Sequence, residues 1–205
     1  MAALNRRTEK ALISFAGTCL TGKTTLARNV SGRLCIPHID VDDVRSSIFP
    51  TEMVGIILPP EQESAVMLNC YVEMYRRAKR SLDKGTSVIA NATHSRELYH
   101  EIAKQTAHDA SVPLVVVLLD IGLLRNPQEF LAERLLIRSE RHDSASNVVG
   151  NDALEYAIKV YERYKPFSEK GVNKLIRIDP ALKISRQAEH VINELRDYIK
   201  VARRE

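Results

Sequence analysis

The sequence has little of what several protein classes require. Its three cysteines, Cys19, Cys35 and Cys70, are an odd number without C-x-x-C spacing, which argues against a disulfide framework or a zinc site. Tryptophan is absent, and no basic run is interleaved with aromatics in the way single-strand nucleic-acid binders need. No apolar run approaches the roughly 18 residues that cross a bilayer. The opening MAALNRRTEK lacks the apolar centre of a signal peptide. The expectation is a cytoplasmic protein with reduced thiols and no membrane partner. Repeats, low-complexity tracts and linkers are missing too, so one domain over residues 1–205 is expected. The net charge of +4 suits an anionic ligand but is too small to argue for nucleic acid.

What is present is globular patterning, with 44% hydrophobic and 27% charged residues. Strand-like runs at residues 11–16, 36–40, 87–91, 114–120 and 175–179 alternate with helical stretches. Several of the runs are nearly continuous in apolar residues, as parallel strands covered on both faces are. Leu68, Tyr71, Val72, Tyr75, Ala78 and Leu82 recur at helical spacing, behind a Pro59-Pro60 helix start. Ile184, Ala188, Val191, Ile192, Leu195 and Ile199 form a second stripe. Both read as core-facing sides. The βαβα order implies a parallel sheet wrapped by helices, with ligands at the carboxyl ends of its strands.

The most specific stretch is GTCLTGKT, residues 17–24, which fits G-x-x-x-x-G-K-[ST] between the first strand and a helix over about 23–33. Gly17, Thr18, Cys19, Leu20, Thr21, Gly22, Lys23, Thr24 and Thr25 are the candidate nucleotide site. Glycine backbones let N–H groups point at phosphate oxygens, and the helix adds its positive end. Lys23 should reach the β- and γ-phosphates, and the Thr24 hydroxyl should bind Mg²⁺. Cys19 reads as a small loop residue, with a redox-sensing thiol as the lesser alternative.

Three further segments bear on what is done with the phosphate. HIDVDDVR, residues 38–45, packs Asp40, Asp42 and Asp43 just past a strand end. Aspartates there can cap a helix, which is a sufficient role for Asp43. They can also divide the work of phosphoryl transfer, Asp40 helping to hold Mg²⁺ and Asp42 taking a proton from an attacking hydroxyl. Arg45 would orient Asp42 or bind the acceptor. Asn91, Thr93 and His94 end the third strand. Thr93 and Ser95 suit helix capping, and their position also suits contact with the acceptor or an ordered metal water; Asn91 joins Arg45 and Thr93 as a candidate acceptor contact. His94 reads as a turn or pocket-lining residue.

Arg134, Arg138 and Arg141 fall within about 60° of one helix face. They are either a solvated stripe or part of a lid that brings cations to a transferring phosphoryl group; Arg138 and Arg141 are the better placed. TEMVGIILPP, residues 51–60, reads as a loop over a pocket or an ordinary connection, and RHDSASNVVGND, residues 141–152, as a lid tip. LVVVLLD, ending at Asp120, looks like the Mg²⁺-binding strand of P-loop ATPases and would favour an ATPase or nucleotide-binding regulatory protein. NKLI, residues 173–176, lacks the aspartate of a guanine-specificity motif.

Taken together, GTCLTGKTTLA, IDVDDVRSSIF, SVIANATHSRE, ERLLIRSER and YERYKPF resemble the small P-loop kinases of the AAA-type group. That group includes the 5′-kinase domain of polynucleotide kinase, with zeta toxins and chloramphenicol phosphotransferase as looser relatives. The resemblance runs from about Ala11 to Asp179. It implies a nucleoside-kinase-like three-layer α/β sandwich with a five-stranded parallel sheet and a helical lid at about 127–152. It further implies ATP and Mg²⁺ as cofactors and γ-phosphate transfer to a hydroxyl. Asp42 would then be the general base with Arg45 beside it, Arg138 and Arg141 the lid arginines, and PALKIS the loop flanking adenine. Asp120 would end the strand feeding the lid helix rather than bind metal. The chain departs from the group where Asn91-Ala92-Thr93 replaces the frequent DAT and Ser146-Asn147-Val148 the frequent SDA. A hydroxyl-bearing small molecule is the expected acceptor, with a 5′-hydroxyl nucleic-acid end as the alternative.

Overall fold

The structure, a computed structural model, describes residues 10–49, 60–140 and 169–199. The expected loop at 51–59, the lid tip at 141–152, Ser146-Asn147-Val148 and YERYKPF lie outside the described residues. Five parallel strands form one sheet in the order β2-β3-β1-β4-β5. They are β1 (Leu12–Ala16), β2 (His38–Asp40), β3 (Val88–Asn91), β4 (Leu114–Leu119) and β5 (Lys174–Ile178). The helices described are α1 (Lys23–Leu34), α2 (Val41–Ile48), α3 (Pro60–Asp83), α4 (Glu97–Asp109), α5 (Pro127–Glu140) and α6 (Ile184–Leu195). Every expected strand is present, with its ends moved by a residue or two.

The long apolar runs of β1 and β4 divide by parity, because successive strand side chains face opposite ways. Leu12, Ala16, Leu114, Val116 and Leu118 pack with α3 and α4. Ile13, Phe15, Val115, Val117 and Leu119 pack with α1 and α6 on the other face. A continuous apolar sequence is thus what a strand with helices on both sides requires. The exception in β1 is Ser14, a wholly buried hydroxyl on the α3 face.

The α3 stripe needs one correction. Tyr71, Met74, Tyr75, Ala78 and Leu82 form its buried side, whereas Val72 is 49% exposed. Val72 is one position from Tyr71 and so about 100° round the helix, off the stripe. On α6, Ala188, Val191, Ile192 and Leu195 are buried as expected, and Ile199 is buried beyond its end. Among the described residues no helix is long and apolar enough to cross a membrane.

Leu118→Ala should destabilise the protein by about 2–5 kcal/mol, since the side chain is fully buried in β4. Val72→Ala should stay within about 0.5 kcal/mol. Urea midpoints at unchanged m-value measure both; equal losses would contradict the assigned face of α3.

Candidate active site

The loop after β1 emerges between the ends of β3 and β4 and is fastened to both. The Gly17 N–H donates to the Thr93 carbonyl at 3.4 Å, on the β3 side. A Cβ at Gly17 would stand 2.6 Å from the Leu119 carbonyl oxygen at the end of β4, and its φ is +131°, so the position admits only glycine. Gly22, at φ +89°, opens α1, and the space beside its Cα is empty. Leu20 also takes a left-handed conformation, with φ 65°. Such turns direct successive N–H groups into one concavity, an anion nest ahead of the α1 dipole.

Within the loop, Lys23 Nζ donates to the Thr18 carbonyl at 2.6 Å, and Thr21 Oγ1 to the same carbonyl at 2.9 Å. Cys19 is half-buried, and its Sγ lies 3.9 Å from Thr18 Oγ1.

Asp40 joins the loop to α2. Its Oδ1 accepts the Asp42 N–H at 3.0 Å, which makes Asp40, not Asp43, the cap of α2. Asp43 stands in the exposed first turn, where its charge complements the helix dipole. The Asp40 Oδ2 accepts from Thr24 Oγ1 at 3.0 Å and from Asn91 Nδ2 at 2.6 Å. Asn91 Nδ2 also reaches Thr24 Oγ1 at 2.9 Å. Asn91, expected as an acceptor contact, closes a triangle with Thr24 and Asp40 through its amide. Its Oδ1 is buried with no partner among the described residues.

These donors fit a hard cation. The Thr24 hydroxyl gives its proton to Asp40 and takes one from Asn91, which leaves one oxygen lone pair uncommitted. An all-oxygen set with a single carboxylate suits Mg²⁺ that keeps its waters and is held mainly by phosphates. Among the described residues no group of three or more His, Cys, Asp or Glu forms an alternative metal centre.

Asp42 opens to solvent on the first turn of α2, and its carboxylate makes no hydrogen bond or ion pair with a described residue. Crowding by surrounding protein atoms, then the charge of Asp40, raises its pKa; Lys23 and Arg45 pull the other way. Arg45 is half-buried close by. Arg77 braces α2 from α3 by a 2.8 Å bond to Ser47 Oγ.

Other expected residues fall elsewhere. Asp120 caps the short turn Ile121–Leu123 and pairs with Arg177 at 3.0 Å, so both carboxylate oxygens are engaged. Thr93 is half-buried beside Gly17. Arg134 is exposed and stacks 5.1 Å over the Phe130 ring. Arg138 lies in the last turn of α5, its side chain outside those described, and Arg141 lies outside the described residues. Sequence reasoning missed Ser14, Tyr71 and Tyr75 as polar neighbours of the site; the one signal was a serine inside the apolar run ALISFA. They surround His94, which is fully buried in the turn after β3.

With this geometry, the chain is that of a P-loop nucleotide-binding protein of the α/β class. A family profile described as an AAA domain matches residues 12–163, and the chain belongs to that family of P-loop kinase-like proteins. Among solved structures it is similar to a sugar kinase from a Janibacter species, at 17% identity and a TM-score of 0.66, over 95% of this chain and 99% of that one. It is similar also to the shikimate kinase of Acinetobacter baumannii bound to shikimate, at 15% identity and 0.61, over 92% and 94%. A third is Kti12 of Chaetomium thermophilum in complex with ADP-AlF3, at 16% identity and 0.60, over 92% and 99%. At these identities the likeness is one of fold. No curated protein matches the sequence significantly.

Burial drives the His94 pKa from 6.5 down to about 3, with His100 and Lys23 adding to the effect. The unfolded chain therefore takes up the proton between those values. The stability His94 contributes is whole above about pH 6.5 and is lost as pH falls toward 3, by up to about 1.4 kcal/mol per pH unit. Burial lowers His38 and His100 as well, in the same sense. Urea stability measured from pH 7 to 4 should fall steeply in the wild type and less steeply in His94→Gln; parallel slopes would contradict the assignment.

Proposed function

We propose that the protein is an ATP-dependent kinase that moves the γ-phosphate onto a hydroxyl of a small-molecule acceptor. The observation that carries this reading is Asp42: a carboxylate that bonds to no described residue, with its pKa raised, within the field of Lys23 and Arg45 and next to a phosphate loop. A nucleotide-binding switch needs no such base. The ATPase alternative loses its main support, because Asp120 is spent on a turn and on Arg177. Likeness in fold to proteins named as sugar and shikimate kinases supports the same reading.

In this mechanism the loop from Gly17 to Thr25 holds the phosphates, and Lys23 exchanges the Thr18 carbonyl for the β- and γ-oxygens. Thr24 and Asp40 would hold Mg²⁺, which when bound would supply charge neutralisation on the phosphates. Asp42 accepts the proton of the acceptor hydroxyl as its oxygen bonds to the γ-phosphorus and the bond to the β-phosphate oxygen breaks, leaving ADP. Its raised pKa makes it a better proton acceptor than an ordinary surface aspartate. Arg45 orients Asp42 and faces the acceptor, with Thr93 on the opposite wall. Arg138 and Arg141 carry positive charge to the transferring group from a lid over about 127–152, within a single kinase domain of residues 1–205.

ATP consumption should accelerate with one member of a panel of sugars, nucleosides, aminoglycosides and 5′-hydroxyl oligonucleotides, with mass spectrometry showing one added phosphate. Asp42→Asn should then lower turnover about 10²–10⁴-fold with ATP affinity retained. Near-normal transfer by that variant would remove Asp42 as the base, and acceleration only by oligonucleotides would replace the small-molecule acceptor.

A further inference from the structure

His94 occupies a conformation that a non-glycine residue adopts only under constraint, with φ 54°. Such a residue costs of order 1–3 kcal/mol and persists where its surroundings over-determine it. Here they do. The backbone N–H of His94 donates to Tyr71 Oη at 2.8 Å, and its carbonyl accepts from His100 Nε2 at 2.6 Å. The ring Nδ1 lies 3.1 Å from the Ala92 carbonyl, an acceptor only, so Nδ1 carries the proton. Nε2 is then the acceptor and takes the Tyr75 hydroxyl at 2.6 Å. Ser14 Oγ, 2.9 Å from Tyr75 Oη and 3.3 Å from Nε2, completes the set from β1. Tyr71 is fixed in turn by stacking on Tyr99, ring centroids 3.8 Å apart.

The turn held this way is the one that serves the phosphate site. Asn91, three residues before His94, bonds Thr24 and Asp40; Thr93, one residue before it, offers its carbonyl to Gly17. The Ala92 N–H is tied to the Phe15 carbonyl of β1 at 3.2 Å.

We propose that His94 is a positioning residue: bonded to β1, α3 and α4, it sets the 91–94 turn and through it the alignment of Asn91, Thr24 and the Gly17 end of the phosphate loop. It touches neither nucleotide nor acceptor. The consequence for binding rests on the nucleotide-site reading; the consequence for the turn does not.

Tyr71→Phe isolates the effect, because it deletes only the oxygen that accepts the His94 N–H and keeps the stacked ring. In the full chain without nucleotide, amide hydrogen exchange at residues 17–24 and 91–94 should speed up about tenfold, with β5 and α6 unchanged. Tyr198→Phe, which removes a hydroxyl bonded to the Asn173 carbonyl, should leave residues 17–24 as they were. ADP titrated by calorimetry should show the Mg²⁺-dependent gain in affinity reduced about tenfold in Tyr71→Phe, with Mg²⁺-free affinity close to wild type. Uniform acceleration across all elements, or none at 17–24, overturns the proposal. Should Tyr71→Phe not fold, Tyr75→Phe gives the same readings. A wild type that binds no ADP would defeat the nucleotide reading instead, while the exchange data still decide the role of His94.

Discussion

Three parts of the molecule meet on one carboxylate. Asp40 caps α2 with one oxygen and receives Thr24 and Asn91 on the other, so the start of α1, the start of α2 and the end of β3 are held in one place. A buried carboxylate is costly unless its lone pairs are filled, and here three donors fill them. The capping reading and the metal-site reading of Asp40 are therefore not rivals. One oxygen builds the helix that carries Asp42, and the other sets the proton of Thr24, so the placement of both residues comes from a single side chain.

That constraint gives meaning to Asn91. A second carboxylate in its place would repel Asp40 across a hydrogen-bond distance, whereas the amide donates to both Asp40 and Thr24. The neutral residue keeps the triangle closed without a cation. It also leaves the charges felt by Asp42 as Asp40 and Asp43 on one side and Lys23 and Arg45 on the other.

The fold was legible because its signals are local and periodic. Unbroken apolar strands and a phosphate-loop motif at a strand–helix junction leave few arrangements open. The site was legible where a single segment carries it, as GTCLTGKT and HIDVDDVR do. Val72 was misplaced because six apolar residues at roughly helical spacing span more than one face, and only packing selects among them. Asp40 and Asp43 were interchangeable as caps because the choice turns on where the helix begins, which sequence fixes least well. The partners of Asn91 and His94 were out of reach for another reason: Thr24, Ser14 and Tyr75 lie far off along the chain and are joined only by the sheet order.

The buried polar network beneath the site explains why a serine interrupts β1. An apolar residue at position 14 would pack as well as its neighbours but would leave the oxygen of the Tyr75 hydroxyl, whose proton goes to His94 Nε2, without its donor in the core. Buried groups of that kind lose about 1–3 kcal/mol each when unpaired. Ser14, Tyr75 and His94 are thus interdependent, and the set holds together only while the ring stays neutral. Burial keeps it so, by depressing the imidazole pKa far below the working range. The same desolvation that would penalise a charged histidine makes a neutral one a rigid, directional strut, set directly behind the turn that positions the phosphate loop.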